Sequence, residues 1–301
     1  MLLIPLRDSE RLLMPGTTQA APGTPQPASA TPHSSYPVSL LERAILALES
    51  HRSLSAKVRH RIDLFGRSLV GSGSYFQQQS GGGLLLRVEL KIQVGSEVTS
   101  LLQVCDGQYL WTYQRGVQNQ GRLSRVALVR VAQALDEAGE MPRPGRVGKW
   151  LGLGGLPRLL RGLLAAFHFV AVEEAQLDRR PVWRLRGHWK PEQVARFLDV
   201  PGKARPGGPI DANKLPPHLP DQVFVYLDRE NLLPLQVEYL RSGATASDRD
   251  ASPPDRVLVA MELFEPAFNV PIDPRQFIYN PGTQEFTDQT EAYLQGMQLT
   301  K

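Results

Sequence analysis

The chain has 301 residues, of which 42% are apolar and 21% are charged, a composition typical of a globular protein. Its net charge of +4 is too small to indicate a nucleic-acid-binding protein, so we expect no nucleic acid among its partners. The single cysteine, Cys105, excludes an intrachain disulfide and a cysteine-based metal site.

The first 37 residues predict no packed structure. Residues 15–37 are rich in Pro, Thr, Ala and Ser, and such a segment cannot bury enough apolar surface to order itself. We therefore predict a disordered leader over residues 1–37 and a single domain over residues 38–301. The apolar start, MLLIPL, is shorter than the roughly 7–15 residues of a signal-peptide core, which leaves a cytoplasmic location open.

The domain is predicted to begin with a helix and a bent strand. Ser39 and Glu42 form a capping box, and the apolar residues that follow recur at helical spacing up to Leu48. Later in the chain, Gly71 and Gly73 interrupt a strand pattern, which indicates a strong bend or a β-bulge.

A regular antiparallel meander is predicted next. The stretch LLLRVELKIQV alternates apolar and polar residues, as expected of a strand with one apolar and one solvated face. The pair Asp106-Gly107 is typical of a tight hairpin turn, and the strand after it carries Tyr109, Trp111 and Tyr113 on one face. That aromatic face covers either a sealed core or a cavity.

The middle of the chain is predicted to be helical. Residues 124–138 form one predicted helix, and LPRLLRGLLAAF, residues 156–167, forms a second with a broad apolar stripe. We assign residues 124–168 to a central helical insertion and residues 201–220 to a Pro-rich loop. Because no crossover helices separate the strands, we predict a mainly β fold: a strongly curved antiparallel sheet that forms an incomplete barrel, with helices covering the opening.

The residues required for catalysis do not form a recognisable motif. The six histidines show no HxxxH or HExxH spacing, and no GxSxG nucleophile elbow is present. The segment Gly152–Gly155 lacks the GK[ST] ending of a phosphate-binding loop and is interpreted as a hinge. His60 shares a face with apolar strand residues and is predicted to be an inward-facing histidine. We therefore expect no enzyme, no metal and no cofactor.

Several short motifs, taken in chain order, resemble the LolA-like family of outer-membrane lipoprotein-sorting carriers. They are Asp106-Gly107, Leu110-Trp111 and Tyr113 in the hairpin, and Asn269, Pro271, Phe277 and Pro281 near the end, within a match from about residue 38 to residue 290. The resemblance implies an unclosed β-barrel whose concave apolar face is covered by lid helices. It also implies carriage of acyl chains or apolar ligands in the bacterial periplasm or envelope, without catalysis.

On this resemblance we expect a monomeric, non-catalytic binding or carrier protein for a lipid, an acyl chain or a lipoprotein, with a possible membrane or membrane-protein partner. The alternative is a protein-interaction or sensor module of the same fold with a filled core. The family's basic-aromatic segment after the second strand is replaced here by QQQSGGGLLLRVEL. The expected ligand-binding residues of the cavity and lid are Leu86, Val88, Leu90, Leu102, Tyr109, Trp111, Tyr113, Leu159, Leu160, Leu163 and Phe167.

Overall fold

A computed structural model describes residues 36–64, 66–81, 83–116, 120–138, 151–191, 193–194, 215–216, 218–243 and 255–296. Residues 1–35 of the predicted leader and most of the predicted Pro-rich loop lie outside these residues, as does the middle of the predicted helical insertion. The last two residues of the predicted leader, Tyr36 and Pro37, belong instead to the first helix.

The first half of the chain is a helix followed by six strands: α1 (Tyr36–Ser50), β1 (Ser53–Leu64), β2 (Arg67–Ser80), β3 (Gly83–Val94), β4 (Glu97–Cys105), β5 (Tyr109–Arg115) and β6 (Gly121–Ala127). Helices α2 (Leu128–Ala138) and α3 (Leu151–Ala166) precede β7 (Phe167–Leu177), β8 (Arg180–Trp189), β9 (Gln222–Asp228), β10 (Pro234–Arg241) and β11 (Arg256–Phe268). A 3-10 turn (Pro274–Phe277), β12 (Thr287–Asp288) and α4 (Thr290–Gly296) follow.

All twelve strands form one sheet, in the order β12-β6-β5-β4-β3-β2-β1-β11-β10-β9-β8-β7. Neighbouring strands are antiparallel, except that the short β12 pairs in parallel with β6. The sheet is curved and does not close, because β12 and β7 are its two edges. The predicted incomplete barrel is therefore confirmed.

Two glycines let β2 approach β3 unusually closely. A Cβ atom on Gly73 would lie 1.7 Å from the carbonyl oxygen of Glu89, and one on Gly71 would lie 2.7 Å from that of Lys91. The β2–β3 register runs without interruption, so there is no bulge between these strands. Of the two alternatives predicted for these glycines, the β-bulge is therefore wrong at this pairing.

Helix α1 packs its apolar stripe into the core as its spacing predicts. The helix begins at Tyr36, three residues before the predicted N-cap, and the Ser39 hydroxyl donates to the Tyr36 carbonyl. Pro37 fits the first turn because a helix needs no N–H donor there. The predicted N-cap at Ser39 is therefore wrong.

The predicted helix over residues 124–138 is wrong in its first part, because these residues begin within strand β6. Leu123 and Val126 are three residues apart, which imitates helical spacing, and both are buried. In a strand, residues three apart lie on opposite faces, so both are buried only because β6 is covered on both sides. Among the described helices, none is long and apolar enough to span a bilayer.

Candidate ligand-binding face

The concave face of the sheet, defined here as the face on which α1 and α3 pack, is apolar. Leu86, Val88 and Leu90 of β3 point to it, with exposed fractions of 4% or less. The register continues this surface into the neighbouring strands, since Leu86 lies opposite Cys105 and Cys105 opposite Leu110. These residues belong to the main hydrophobic core.

Helix α3 covers this wall with the side chains that its apolar stripe predicts. Leu159, Leu160 and Leu163 are buried against the core. Phe167 is buried as well, but it is the first residue of β7 and stacks on Trp189 with ring centroids 4.1 Å apart. The concave face thus brings Leu86, Val88, Leu90, Leu159, Leu160, Leu163 and Phe167 into one core.

This part of the concave face is closed in the described conformation. Leu86, Leu160 and Leu163 have exposed fractions of 0%. A side chain lining a cavity wide enough for water or an acyl chain would keep accessible surface on that side. A ligand can therefore reach these three side chains only if helix α3 moves.

Helix α3 begins at a backbone break. Gly154 and Gly155 have non-helical backbone angles, and Gly155 has a φ of 61°, in the left-handed region that glycine adopts without strain. The regular helix starts at Leu156, and Pro157 occupies its first turn. The hinge predicted for this segment thus coincides with a real interruption of the helix.

A buried hydrogen-bond network holds the start of α3 to strand β2. The Tyr75 hydroxyl donates to Gln77 Oε1 over 2.5 Å and accepts from the Leu156 N–H over 3.0 Å. Tyr75 and Gln77 are each 1% exposed. Burial raises the pKa of Tyr75, so the phenol stays protonated and remains a donor. We call these three residues the Tyr75 network.

By resemblance, the predicted helices 124–138 and 156–167 would be the lid, and the corresponding α2 and α3 are held to different extents. At the far end of α3, Lys190 Nζ donates to the Leu164 carbonyl over 2.8 Å, and Arg161 pairs with Glu49 of α1 over 2.7 Å. Among the described side chains of α2, by contrast, Val131 alone is buried, and Val129 is 56% exposed. Over the described side chains, helix α2 is therefore the less buried of the two covers.

The aromatic face of strand β5 points away from this core. Trp111 lies opposite Val104 and Arg125, on the convex face, and it stacks on Tyr279 with ring centroids 5.5 Å apart. Phe286 meets Trp111 edge-on at 5.2 Å. Leu102, Tyr109, Trp111 and Tyr113 share this convex face by register and alternation.

The convex face of β5 is covered by the chain's own C-terminal segment, residues 269–288. The Arg125 guanidinium lies 4.7 Å from the Tyr109 ring centroid and pairs with Asp288 over 2.8 Å. Nearer the start of the segment, Arg87 Nη1 donates to the Gln276 carbonyl over 3.2 Å. The rings of Tyr279 and Phe286 on Trp111 form a second apolar layer on the outside of the sheet, and these polar contacts fix the segment over it.

The predicted ligand-binding residues are therefore divided between two faces and do not line one cavity. The residues of β3, α3 and Phe167 lie on the concave side, whereas Leu102, Tyr109, Trp111 and Tyr113 lie on the convex side. Sequence reasoning missed the Tyr75 network. Leu156 lies 81 positions from Tyr75, and the polar Gln77 carries no signal that it is buried.

Two further polar groups lie unpaired in the interior. His60 is 4% exposed and points inward, as predicted, but its Nδ1 has no hydrogen-bond partner among the described residues. Burial lowers the pKa of His60 to about 4, so the imidazole is neutral near pH 7. The Tyr239 hydroxyl likewise has no partner in the described part of the chain. Neither belongs to a metal site, because no group of three or more His, Cys, Asp or Glu residues among those described could hold a metal ion.

Comparison with known proteins gives similarity at the level of fold. No protein-family profile matches the chain, and no curated protein matches it. Similar solved structures include a domain of an outer membrane lipoprotein-sorting protein from Vibrio parahaemolyticus, with 10% identity, a TM-score of 0.33 and coverage of 81% of this chain and 97% of that one. The lipoprotein LppX of Mycobacterium tuberculosis has 12% identity, a TM-score of 0.36 and coverage of 79% and 97%.

The MucA/MucB complex of Pseudomonas aeruginosa is also similar, with 12% identity, a TM-score of 0.40 and coverage of 81% of this chain. This match spans 61% of the other chain's length. Structures of the kind that the sequence motifs resemble are thus among the neighbours. Because these similarities are low, the proposal that follows is based on the contacts described above.

Proposed function

We propose that the chain is a non-catalytic binding protein that carries a lipid, an acyl chain or the lipid part of a lipoprotein in the bacterial envelope. The observation that carries this proposal is the apolar concave face, covered by a helix that starts at the Gly154–Gly155 break. The described conformation is then the closed form. We expect the protein to act as a monomer.

The energy for binding would come from apolar burial. Each CH₂ group that leaves water contributes about 0.8 kcal/mol, so an acyl chain of ordinary length offers more than enough to offset the loss of a few helix–sheet contacts. The ligand would replace the α3 and α2 side chains against the wall formed by Leu86, Val88 and Leu90. The closed form would be restored on release.

We propose that the ligand enters beside α2. This helix buries the fewest of its described side chains, and part of the concave face on β4 remains accessible. Leu101 of β4 lies opposite Leu90 on that face and is half-buried against the core. A chain that displaced α2 and extended along β4 would contact Leu101 as well as the fully buried leucines.

Adjacent leucines in β4 provide a matched test. Leu101 and Leu102 are both half-buried, but Leu101 faces the concave side and Leu102 the convex side. We expect native mass spectrometry of the protein purified from bacterial membranes and periplasm to show bound lipid, which Leu101→Gln loses and Leu102→Gln retains. Binding of a fluorescent fatty acid should show the same difference. Folded protein that never retains lipid or the fatty acid would refute carriage.

A second candidate function is a protein-interaction or sensor module with a filled core. Leu86, Leu160 and Leu163 have exposed fractions of 0%, which favours a filled core. These side chains already pack within the core and leave no apolar surface exposed for a ligand. This candidate requires that no apolar ligand binds and that exchange of the α3 amides is unchanged when fatty acid is added. A carrier requires the opposite result in both measurements.

A further inference from the structure

The convex face carries a row of basic side chains that runs across the strands. Arg59 lies opposite Ser72, Ser72 opposite Lys91, Lys91 opposite Ser100, and Ser100 opposite Arg115. Neighbouring strands are about 4.8 Å apart, so this basic row crosses roughly 19 Å of the surface. The serines between the cations are short and leave the charged groups accessible.

Exposed apolar side chains flank the basic row. Val70 is 54% exposed and Val98 is 50% exposed, and both lie one step along their strands from the row, on the same face. Arg61 lies opposite Val70, and Gln93 lies opposite Val98. Cations and accessible valines therefore share the outer side of the β1–β2 and β3–β4 hairpins.

Positive charge is in excess on this surface. Arg59 is paired with Glu262 over 2.8 Å. Arg61, Lys91 and Arg115 are exposed, and within the described part of the chain none of them forms an ion pair. Two acids lie on the same face near these cations: Asp63 is two residues from Arg61, and Glu89 is two residues from Lys91. Because Glu89 pairs with Arg87, the three unpaired cations are opposed by Asp63 and remain in excess.

We propose that this surface binds a lipid bilayer that contains anionic lipid. Phosphate-bearing headgroups complement the unpaired cations, and the two valines can contact the apolar level just below the headgroups. Duplex or single-stranded nucleic acid fits less well, since the row offers no aromatic ring for base stacking and the chain's net charge is only +4.

This surface is separate from the concave face on which the proposed carrier function rests. The two sites lie on opposite faces of the same strands, since Leu90 points inward where Lys91 points outward. Loss of one activity therefore need not affect the other. A carrier that docks on a membrane through its convex side would keep its concave side free for exchange of the ligand.

Vesicle sedimentation with the full chain tests the proposal. We expect binding to phosphatidylcholine vesicles that contain phosphatidylglycerol, no binding to phosphatidylcholine alone, and loss of binding at high salt. Each surface cation strengthens such binding about fivefold, so the triple variant Arg61→Gln, Lys91→Gln, Arg115→Gln should bind about 100-fold more weakly.

The matched control removes the same charge elsewhere. Arg43, Arg52 and Arg179 are exposed and lie outside the basic row, so replacing all three by Gln should leave vesicle binding within a few-fold of the parent protein. Equal losses in the two triple variants would show that only net charge matters and would overturn the proposal. Absence of binding to the anionic vesicles would overturn it as well, and so would tighter binding to DNA that the basic-row variant abolishes.

Discussion

The Tyr75 network allows a sharp test of what keeps helix α3 in place. In Tyr75→Phe, the ring still fills its site, but Gln77 Oε1 and the Leu156 N–H both lose the hydroxyl that satisfies them. A buried polar group left without a partner costs roughly 1–3 kcal/mol. We therefore expect the free energy of unfolding to fall by about 2–4 kcal/mol.

A tyrosine in the same interior provides the control. The Tyr239 hydroxyl is buried and has no hydrogen-bond partner among the described residues, so Tyr239→Phe removes an unsatisfied group and exposes no other. We expect this variant to be as stable as the parent protein or up to about 1 kcal/mol more stable. The two variants make the same chemical change and should differ in sign.

Urea unfolding and amide hydrogen exchange together provide the assay. If the network holds the start of α3, the amides near Leu156 should exchange roughly 30-fold faster in Tyr75→Phe, which corresponds to about 2 kcal/mol, while the middle of α1 changes less. Equal effects of Tyr75→Phe and Tyr239→Phe on stability would refute the reasoning. Unchanged exchange at α3 would show that other contacts fix the helix.

Three other predictions follow from single contacts. Gly73→Ala should fail to fold or lose several kcal/mol in urea unfolding, because its Cβ would overlap a β3 carbonyl oxygen, while Gly81→Ala, with nothing within 4 Å, should be neutral. The pKa of His60 is about 6.5 in the unfolded chain and about 4 in the folded protein, so below pH 6.5 the unfolded state binds the proton more strongly. The free energy of unfolding should therefore fall by up to about 3 kcal/mol between pH 6.5 and pH 4. The same pH dependence in His60→Leu would contradict this. Asp288→Asn weakens the acceptor for the Thr290 N–H (2.9 Å) at the start of α4 and removes the charge that pairs with Arg125, so unfolding should show a loss of about 1–2 kcal/mol. An unaltered α4 exchange rate would argue against it.

The features that sequence predicts well are those with a regular period. The alternation in β3 identifies Leu86, Val88 and Leu90 as one buried row, and the helical spacing in α1 and in residues 156–166 identifies their buried stripes. A strand or helix that is buried on one side must repeat its apolar residues with its own period, so the sequence pattern predicts which side chains are buried. The curved antiparallel sheet follows from the order of these elements.

The features that sequence does not predict depend on contacts between distant segments. Tyr75 and Leu156 are 81 positions apart, and nothing near either residue indicates that they form a hydrogen bond. Strand β6 was hidden for a related reason, because Leu123 and Val126 are buried against different layers. Their three-residue spacing is ambiguous until both layers are known.

The aromatic strand shows where period-based reasoning stops. Alternation places Tyr109, Trp111 and Tyr113 on one face of β5, but Leu110 on the other face is buried too, so the pattern cannot say which face is concave. The choice is made by the C-terminal segment, whose Tyr279 and Phe286 pack on Trp111. Under the proposed carrier function, an apolar ligand would therefore contact Leu110 and its concave neighbours. The aromatic rings already have an intramolecular partner, and their contacts stabilise the outside of the sheet.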